Sequence, residues 1–489
     1  MTSLPDRRHT RMSRKQLRER LQTLRRQQAR KARARRRQLA RIHEQLPEPV
    51  HSVFDPLVPA FSRPTHRRFV LLALAAILTL GGRTVSNLLR ALGALAPGHP
   101  TSYHRVFSRS RWSPWVLARR FTHAVLDRLV PEGPIALAGD DTVTEHPGPH
   151  VYGKGCHRDP VRSTHSFTAF RWGHKWVVLA LLVRFPFATR PWALPLLVAL
   201  YRPEEEDRTH KRRHKTPPQL VRQMLRVLLR WFPGRAFVGT ADGNYATHEL
   251  SELAARYPDR LTFVSKFYPD ANLVAPPPAY AGKGRPRVKG EDLPAPTEVV
   301  QDALTRQTLE VAWYGGSRRR VEVVTGTGLW YKSGRPLVPV RWVFVHDLTG
   351  THRDEYFFTT NPTMSAATVI ETYTGRWNIE TTFQEARSYL GLETTRGWSR
   401  DTVLRVGPCL FGLYTVVVWL YAGLPARFAR VRVVDRPGKH DVTFSDAITA
   451  VRRWLWLQWV LAIPGHREAF SKLSGPFRQI LLNGLAPAA

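Results

Sequence analysis

The chain has 489 residues, 43% of them hydrophobic, which fits a globular protein of two or three domains and excludes a disordered one. Lys and Arg number 74 against 38 Asp and Glu, a formal net charge of +36, so the expected partner is a polyanion, either nucleic acid or an anionic membrane surface. Two cysteines, Cys156 and Cys409, exclude a disulfide-stapled fold and a cysteine zinc centre, and no apolar leader opens the sequence, so a reducing cytoplasm is expected.

Residues 1–49 read as a basic arm, with a net +13 over positions 1–45 and helix-prone sequence from Ser13 to Gln45. Leu17, Leu21 and Leu24 give it a thin apolar stripe, and Leu46-Pro47-Glu48-Pro49 ends it. Residues 50–132 read as a helical domain, with helices over Phe69–Leu80, Arg83–Leu92 and Ser113–Leu129 and a basic surface that includes Tyr103-His104-Arg105. The apolar run at 69–80 is too short to span a membrane, where about 20 residues are needed. A second run, Val406 to Leu424, is uncharged but contains Gly407-Pro408 and has arginines on both sides, so a buried helix is expected and no membrane partner.

After Gly133-Pro134 the pattern alternates between strands and helices, as in a mixed α/β sheet. Ile135–Asp141 is an apolar strand ending in two aspartates, Trp176–Val183 a buried strand, and Ala193–Tyr201 a strand or short helix. A helix follows over Pro217–Phe232, then a strand, Ala236–Asp242, again ending in an aspartate. Helix Ala246–Tyr257 and strand Leu261–Lys266 complete this part. Residues 270–361 are proline-rich with short β-like runs and read as a β-rich insertion rather than a separate domain. Helical character returns from Ser365 to Leu390, with Gly391 as the C-terminal cap, and residues 401–489 read as a helical C-terminal region. The α/β part is thus 133–269 joined to 362–400.

Three acids stand out by position. Asp141 and Asp242 close apolar strands, where side chains open onto the crevice of an α/β sheet, and Glu380 lies on the late helix. Two Asp and one Glu are hard oxygen donors suited to Mg²⁺, and two such ions about 4 Å apart can activate an attacking oxygen and stabilise a leaving one. Singly, such acids also serve as caps and turn formers. Tyr373, Arg376, Glu380 and Arg387 fall within an arc of about 60° on one continuous helix, at about 100° per residue. A carboxylate flanked by guanidiniums and a phenol suits a metal ligand among groups that hold phosphates. Glu371 and Glu385 lie on other sides of that helix.

The sequence here resembles a family. Tyr373-x2-Arg376-x3-Glu380-x6-Arg387 is similar to the Tyr-Arg-Glu-Lys signature of bacterial insertion-sequence DDE transposases, with Arg in place of the final Lys. Asp-Asp-Thr at 140–142, Ala-Asp-Gly at 241–243 and YGKGCHRDPVRSTHSFTAFRWGHKW from Tyr152 extend the match over roughly residues 55–425. The second and third acids are 138 residues apart, room for the insertion such enzymes carry.

The resemblance implies an RNase H-like mixed sheet with a β-rich insertion, between helical N-terminal and C-terminal regions. It implies Asp141, Asp242 and Glu380 as catalytic metal ligands for two Mg²⁺, with Mn²⁺ as substitute, and Tyr373, Arg376 and Arg387 as DNA-phosphate ligands. Strand alternation points Asp140 and Asp141 to opposite faces. Asp141 is preferred because the family's acid usually precedes Thr or Ser, with Asp140 as a neighbour of the metal site. Relatives stack a flipped base on a tryptophan of the insertion, which nominates Trp342, Trp330 and Trp313.

The expected function is a cut-and-paste transposase acting as a homodimer on double-stranded DNA, at terminal inverted repeats and target sites, in the bacterial nucleoid. The helical domain at 50–132 would bind the DNA ends. The alternatives are an endonuclease without strand transfer and a DNA-binding relative that has lost its chemistry.

Overall fold

A computed structural model describes residues 14–159, 163, 164, 166–280, 282, 284–429 and 441–487. Residues 1–13 of the basic arm, Ser13 among them, and 430–440 of the C-terminal region lie outside the described residues. The first six helices are α1 (Arg14–Glu44), α2 (Glu48–Phe54), α3 (Arg63–Leu78), α4 (Val85–Leu92), α5 (Pro100–Ser108) and α6 (Pro114–Leu129). The strands that follow are β1 (Ile135–Glu145), β2 (Gly155–Arg158), β3 (Phe170–Val183) and β4 (Trp192–Tyr201). After α7 (Glu204–Thr209) and α8 (Pro217–Trp231) come β5 (Phe237–Ala241), α9 (His248–Ala255) and β6 (Leu261–Lys266). The insertion holds β7 (Leu273–Val274), β8 (Asp292–Leu293), α10 (Pro296–Asp302), β9 (Gln307–Ala312), β10 (Arg318–Trp330), β11 (Val338–Asp347) and β12 (Glu355–Thr359). The chain closes with α11 (Ala366–Gly375), α12 (Asn378–Leu390), α13 (Arg400–Ala422), α14 (Ala426–Ala429), α15 (Phe444–Leu455), α16 (Pro464–Ser471) and α17 (Gly475–Leu485).

The centre of the sheet runs β4-β3-β1-β5-β6, with β1 antiparallel to β3 and parallel to β5, and β5 parallel to β6. This is the RNase H-like mixed sheet expected from the sequence. Val and Leu in β1, β3 and β4 are buried on both faces because helices cover both. Gly139 of β1 lies against Val221 of α8 on one face, while Arg387 of α12 reaches Thr142 on the other. The insertion does not form its own layer: β12 pairs antiparallel with β6, and β11, β10 and β9 extend the same sheet outward.

Three elements depart from expectation. β1 continues four residues past Asp141, so both aspartates sit within a strand rather than at its end. The late helix is two helices, α11 and α12, because the chain breaks across Gly375–Trp377. Gly391 then caps α12 in the left-handed conformation, φ 63°, as the sequence predicts.

Helix α13 is long and apolar enough to cross a membrane by length and composition, but 67% of its apolar stretch is buried inside the protein. Gly407 makes that packing feasible: a Cβ there would stand 2.5 Å from the Trp176 ring. At the other extreme, the described side chains of α1 are exposed from Lys15 to Gln38, and burial begins at Leu39. At 1.5 Å per residue this part of α1 stands about 35 Å clear of the core.

Candidate active site

Alternation along β1 sends Asp140 toward the α12 face and Asp141 toward the α8 face. On the α12 face Arg376 donates to Asp140 Oδ2 from Nη1 at 2.8 Å, and its Nη2 stands 3.6 Å from Glu380 Oε1. Arg376 is 4% exposed, so this pairing is shielded from water. Asp242 follows β5 directly and is held by Asn244, whose backbone N donates to Oδ1 at 3.0 Å and whose Nδ2 donates to Oδ2 at 3.3 Å. The field of Arg376 reaches Asp140, Asp242 and Glu380 together.

All three carboxyls titrate above the usual range, and burial is the first cause for each. Arg376 opposes the shift, while Asp242 pushes both Asp140 and Glu380 further up. Three carboxylates thus share one guanidinium, a surplus of hard oxygen donors that fits a divalent cation. Among the described residues no three His, Cys, Asp or Glu side chains are grouped closely enough to hold an ion as they stand. The reason is visible: Arg376 takes the place between Asp140 and Glu380 that a cation would share.

Asp141 is occupied differently. Lys175 of β3 stands 2.9 Å from its Oδ1, and the buried Tyr245 hydroxyl donates to its Oδ2 at 2.7 Å. The structure therefore brings Asp140, Asp242 and Glu380 around Arg376, and ties Asp141 to a Lys-Tyr clamp on the opposite side of β1. Sequence reasoning preferred Asp141 by the habit of the resembled family. The alternation rule was already available, but which face α12 covers is a tertiary fact.

The proposed phosphate ligands also separate. Tyr373 is buried on α11, its ring 4.5 Å from that of Phe357, and Arg376 packs 5.4 Å from its centroid. It supports Arg376 and presents nothing to solvent, because the break at Gly375–Trp377 takes it off the Glu380 stripe. Arg376 itself faces carboxylates. Arg387 alone of the three keeps a partly exposed guanidinium, which donates to Thr142 Oγ1 and, at 3.0 Å, to the Val143 carbonyl. Glu371 and Glu385 are engaged elsewhere, accepting from the Ala312 backbone N at 2.9 Å and the Tyr414 hydroxyl at 2.7 Å.

The insertion's tryptophans offer no free ring face. Trp313, Trp330 and Trp342 are 5%, 8% and 2% exposed and belong to the core that joins the insertion to the main sheet. Beside the carboxylates it is Trp377, in the break between α11 and α12, that is exposed. Sequence reasoning missed Lys175 and Tyr245, although both lie in the quoted GHKW and ADG stretches or next to them. Their spacing to Asp141 becomes informative only when β3 and the turn after β5 are placed beside β1.

Comparison with known proteins follows the geometry. No curated protein matches the chain. Among solved structures the chain is similar to piggyBac transposase in a synaptic complex with hairpin DNA, at 9% identity and a TM-score of 0.38, over 92% of this chain and 85% of that one. The family model described as "DDE superfamily endonuclease" matches residues 56–320, which include Asp140, Asp141 and Asp242 and stop short of Glu380. Because that match covers more than half of the 489 residues, the chain belongs to the DDE superfamily endonucleases.

Proposed function

We propose that this protein is a DNA transposase of the insertion-sequence type, cutting at the ends of its element and joining the freed 3′-hydroxyl to target DNA. The observation that carries the reading is the meeting of Asp140, Asp242 and Glu380, from β1, the end of β5 and α12, on one buried guanidinium. Asp140 replaces Asp141 as the first acid. These three carboxylates would hold two Mg²⁺ ions, with Mn²⁺ able to substitute. Bound there, the ions would supply Lewis-acid stabilisation of the attacking and leaving oxygens of a phosphodiester.

The chain's own residues prepare that site. Arg376 keeps Asp140 and Glu380 facing each other, and Tyr373 and Phe357 wall it from water. Lys175 and Tyr245 fix the neighbouring stretch of β1 by holding Asp141. Arg387, anchored to β1 beside Thr142, is placed to hold a DNA phosphate as a bidentate donor. The basic helical region at 50–132 and the +36 charge supply attraction for duplex DNA, on which the protein acts as a homodimer at inverted repeats.

The test uses purified protein and labelled DNA from the flanks of its own gene, with Mg²⁺ or EDTA. Metal-dependent cuts at a repeat boundary together with joined products support the transposase. Cuts without joined products reduce the function to an endonuclease, and binding without cuts removes the catalytic reading.

A further inference from the structure

We infer that the two-stranded ribbon of β2 and the start of β3 binds unpaired DNA bases by stacking them on Phe170 and Trp172. The ribbon pairs Cys156 with Trp172 and Arg158 with Phe170. Alternation buries Gly155 and His157 and leaves Cys156, Arg158, Phe170 and Trp172 on one open face. Phe170 and Trp172 are 63% and 62% exposed, and Phe167 in the loop just before them is 64% exposed. Most of the chain's aromatic rings are packed away, so three such rings within six residues form a surface that needs an occupant.

Its chemistry selects one. Lys154 Nζ lies 5.7 Å from the Trp172 ring centroid, held by donating to the Gly148 carbonyl at 2.9 Å. Arg158 is exposed opposite Phe170. Flat rings interleaved with cations, on a chain of net charge +36, complement a strand that offers π-faces and phosphates. A duplex keeps its base faces stacked inside, so the ligand is single-stranded. Arg171, between the two rings in sequence, takes no part, because it is paired with Asp159 at 2.6 Å and with Glu145 at 3.1 Å.

The position fits a strand that passes the carboxylates. In the β1–β3 register Asp140 lies opposite Val178, six residues from Trp172 along β3. At about 3.3 Å per residue the ribbon is about 20 Å from that level, a span of roughly six nucleotides at 3.4 Å each. The identity of the ligand rests on the DNA-cutting reading proposed above.

The test measures binding of a fluorescent oligo(dT) and of a duplex of equal length to the full chain in EDTA at fixed salt. Wild type is compared with Trp172→Ala, Phe170→Ala, the double variant and Trp172→Phe. Each ring lost should weaken oligo(dT) binding by about 5- to 100-fold, the measured range for one base stacked on an aromatic side chain. Duplex affinity should move less than threefold, and Trp172→Phe should stay near wild type. Equal losses on both ligands, or no loss in the double variant, overturn the inference. Mg²⁺-dependent cleavage, assayed separately, reports on the catalytic reading: intact oligo(dT) stacking without any cleavage would sink that reading alone.

Discussion

Removing Arg376 tests whether the carboxylate cluster depends on it. Arg376→Met keeps the length of the side chain and deletes the charge that faces Asp140 at 2.8 Å. With the charge centres about 4 Å apart and an effective dielectric near 20, the lost attraction is about 4 kcal/mol. Breaking a buried pair from one side costs about 3–5 kcal/mol, since the surviving carboxylate stays buried without a partner. The second substitution makes the prediction sharp. Asp140→Asn in the Arg376→Met background removes that stranded charge, so the double variant should be more stable than Arg376→Met alone. The assay is thermal unfolding in EDTA of wild type, both single variants and the double variant, read as a double-mutant cycle. A drop of several degrees for Arg376→Met, largely recovered in the double variant, is expected. An Arg376→Met loss below about 1 kcal/mol, or losses that simply add, would refute the claim that Arg376 and Asp140 are held as one buried unit.

Asp347, 2% exposed, accepts from Arg319, Thr349, Thr351 and the backbone N of His352, and although burial pushes its carboxyl up, these bonds hold it well below the ordinary 3.8. Its contribution is therefore present above that value and lost as pH falls below it; Asp347→Asn should cost about 3 kcal/mol near neutrality and much less in strong acid, measured by unfolding against pH. Gly391→Ala should destabilise by about 1–2 kcal/mol, because φ is 63° and the new Cβ would stand 2.6 Å from Thr394 Oγ1; an unchanged melting temperature would contradict the cap. Arg387→Gln should weaken DNA binding and lower the slope of log affinity against log salt by about one, whereas an unchanged slope would confine Arg387 to tying α12 to β1.

Much of the fold is legible in the sequence because it rests on local signals. The apolar strand runs, the helix periods at 217–232 and 246–257 and the glycine after Leu390 each report one element, and the structure places each within a few residues of its expected limits. The site is less legible because it depends on which element covers which face. Asp140 and Asp141 differ by one step of the pleat, and only the packing of α12 against the Thr142 side decides between them. The helical stripe containing Tyr373 assumes one continuous helix, and the break at 375–377 moves it into the core. Periodicity cannot separate a ring that packs from one that stacks a base, so Trp313, Trp330 and Trp342 look equivalent to Trp172 until burial is known. The β-rich insertion is recognisable by composition, but its attachment through β12 to β6 is a long-range pairing with no local mark.

The most direct test of the cutting centre is single-turnover cleavage of labelled element-end DNA in Mg²⁺ and in Mn²⁺ by Asp140→Asn, Asp141→Asn, Asp242→Asn and Glu380→Gln. The account predicts that Asp140→Asn, Asp242→Asn and Glu380→Gln each lose cleavage by about 10³-fold or more while still binding DNA, and that Asp141→Asn keeps measurable activity. Cleavage that survives in Asp140→Asn but vanishes in Asp141→Asn would contradict it and return the first acid to the Lys175–Tyr245 side of the strand.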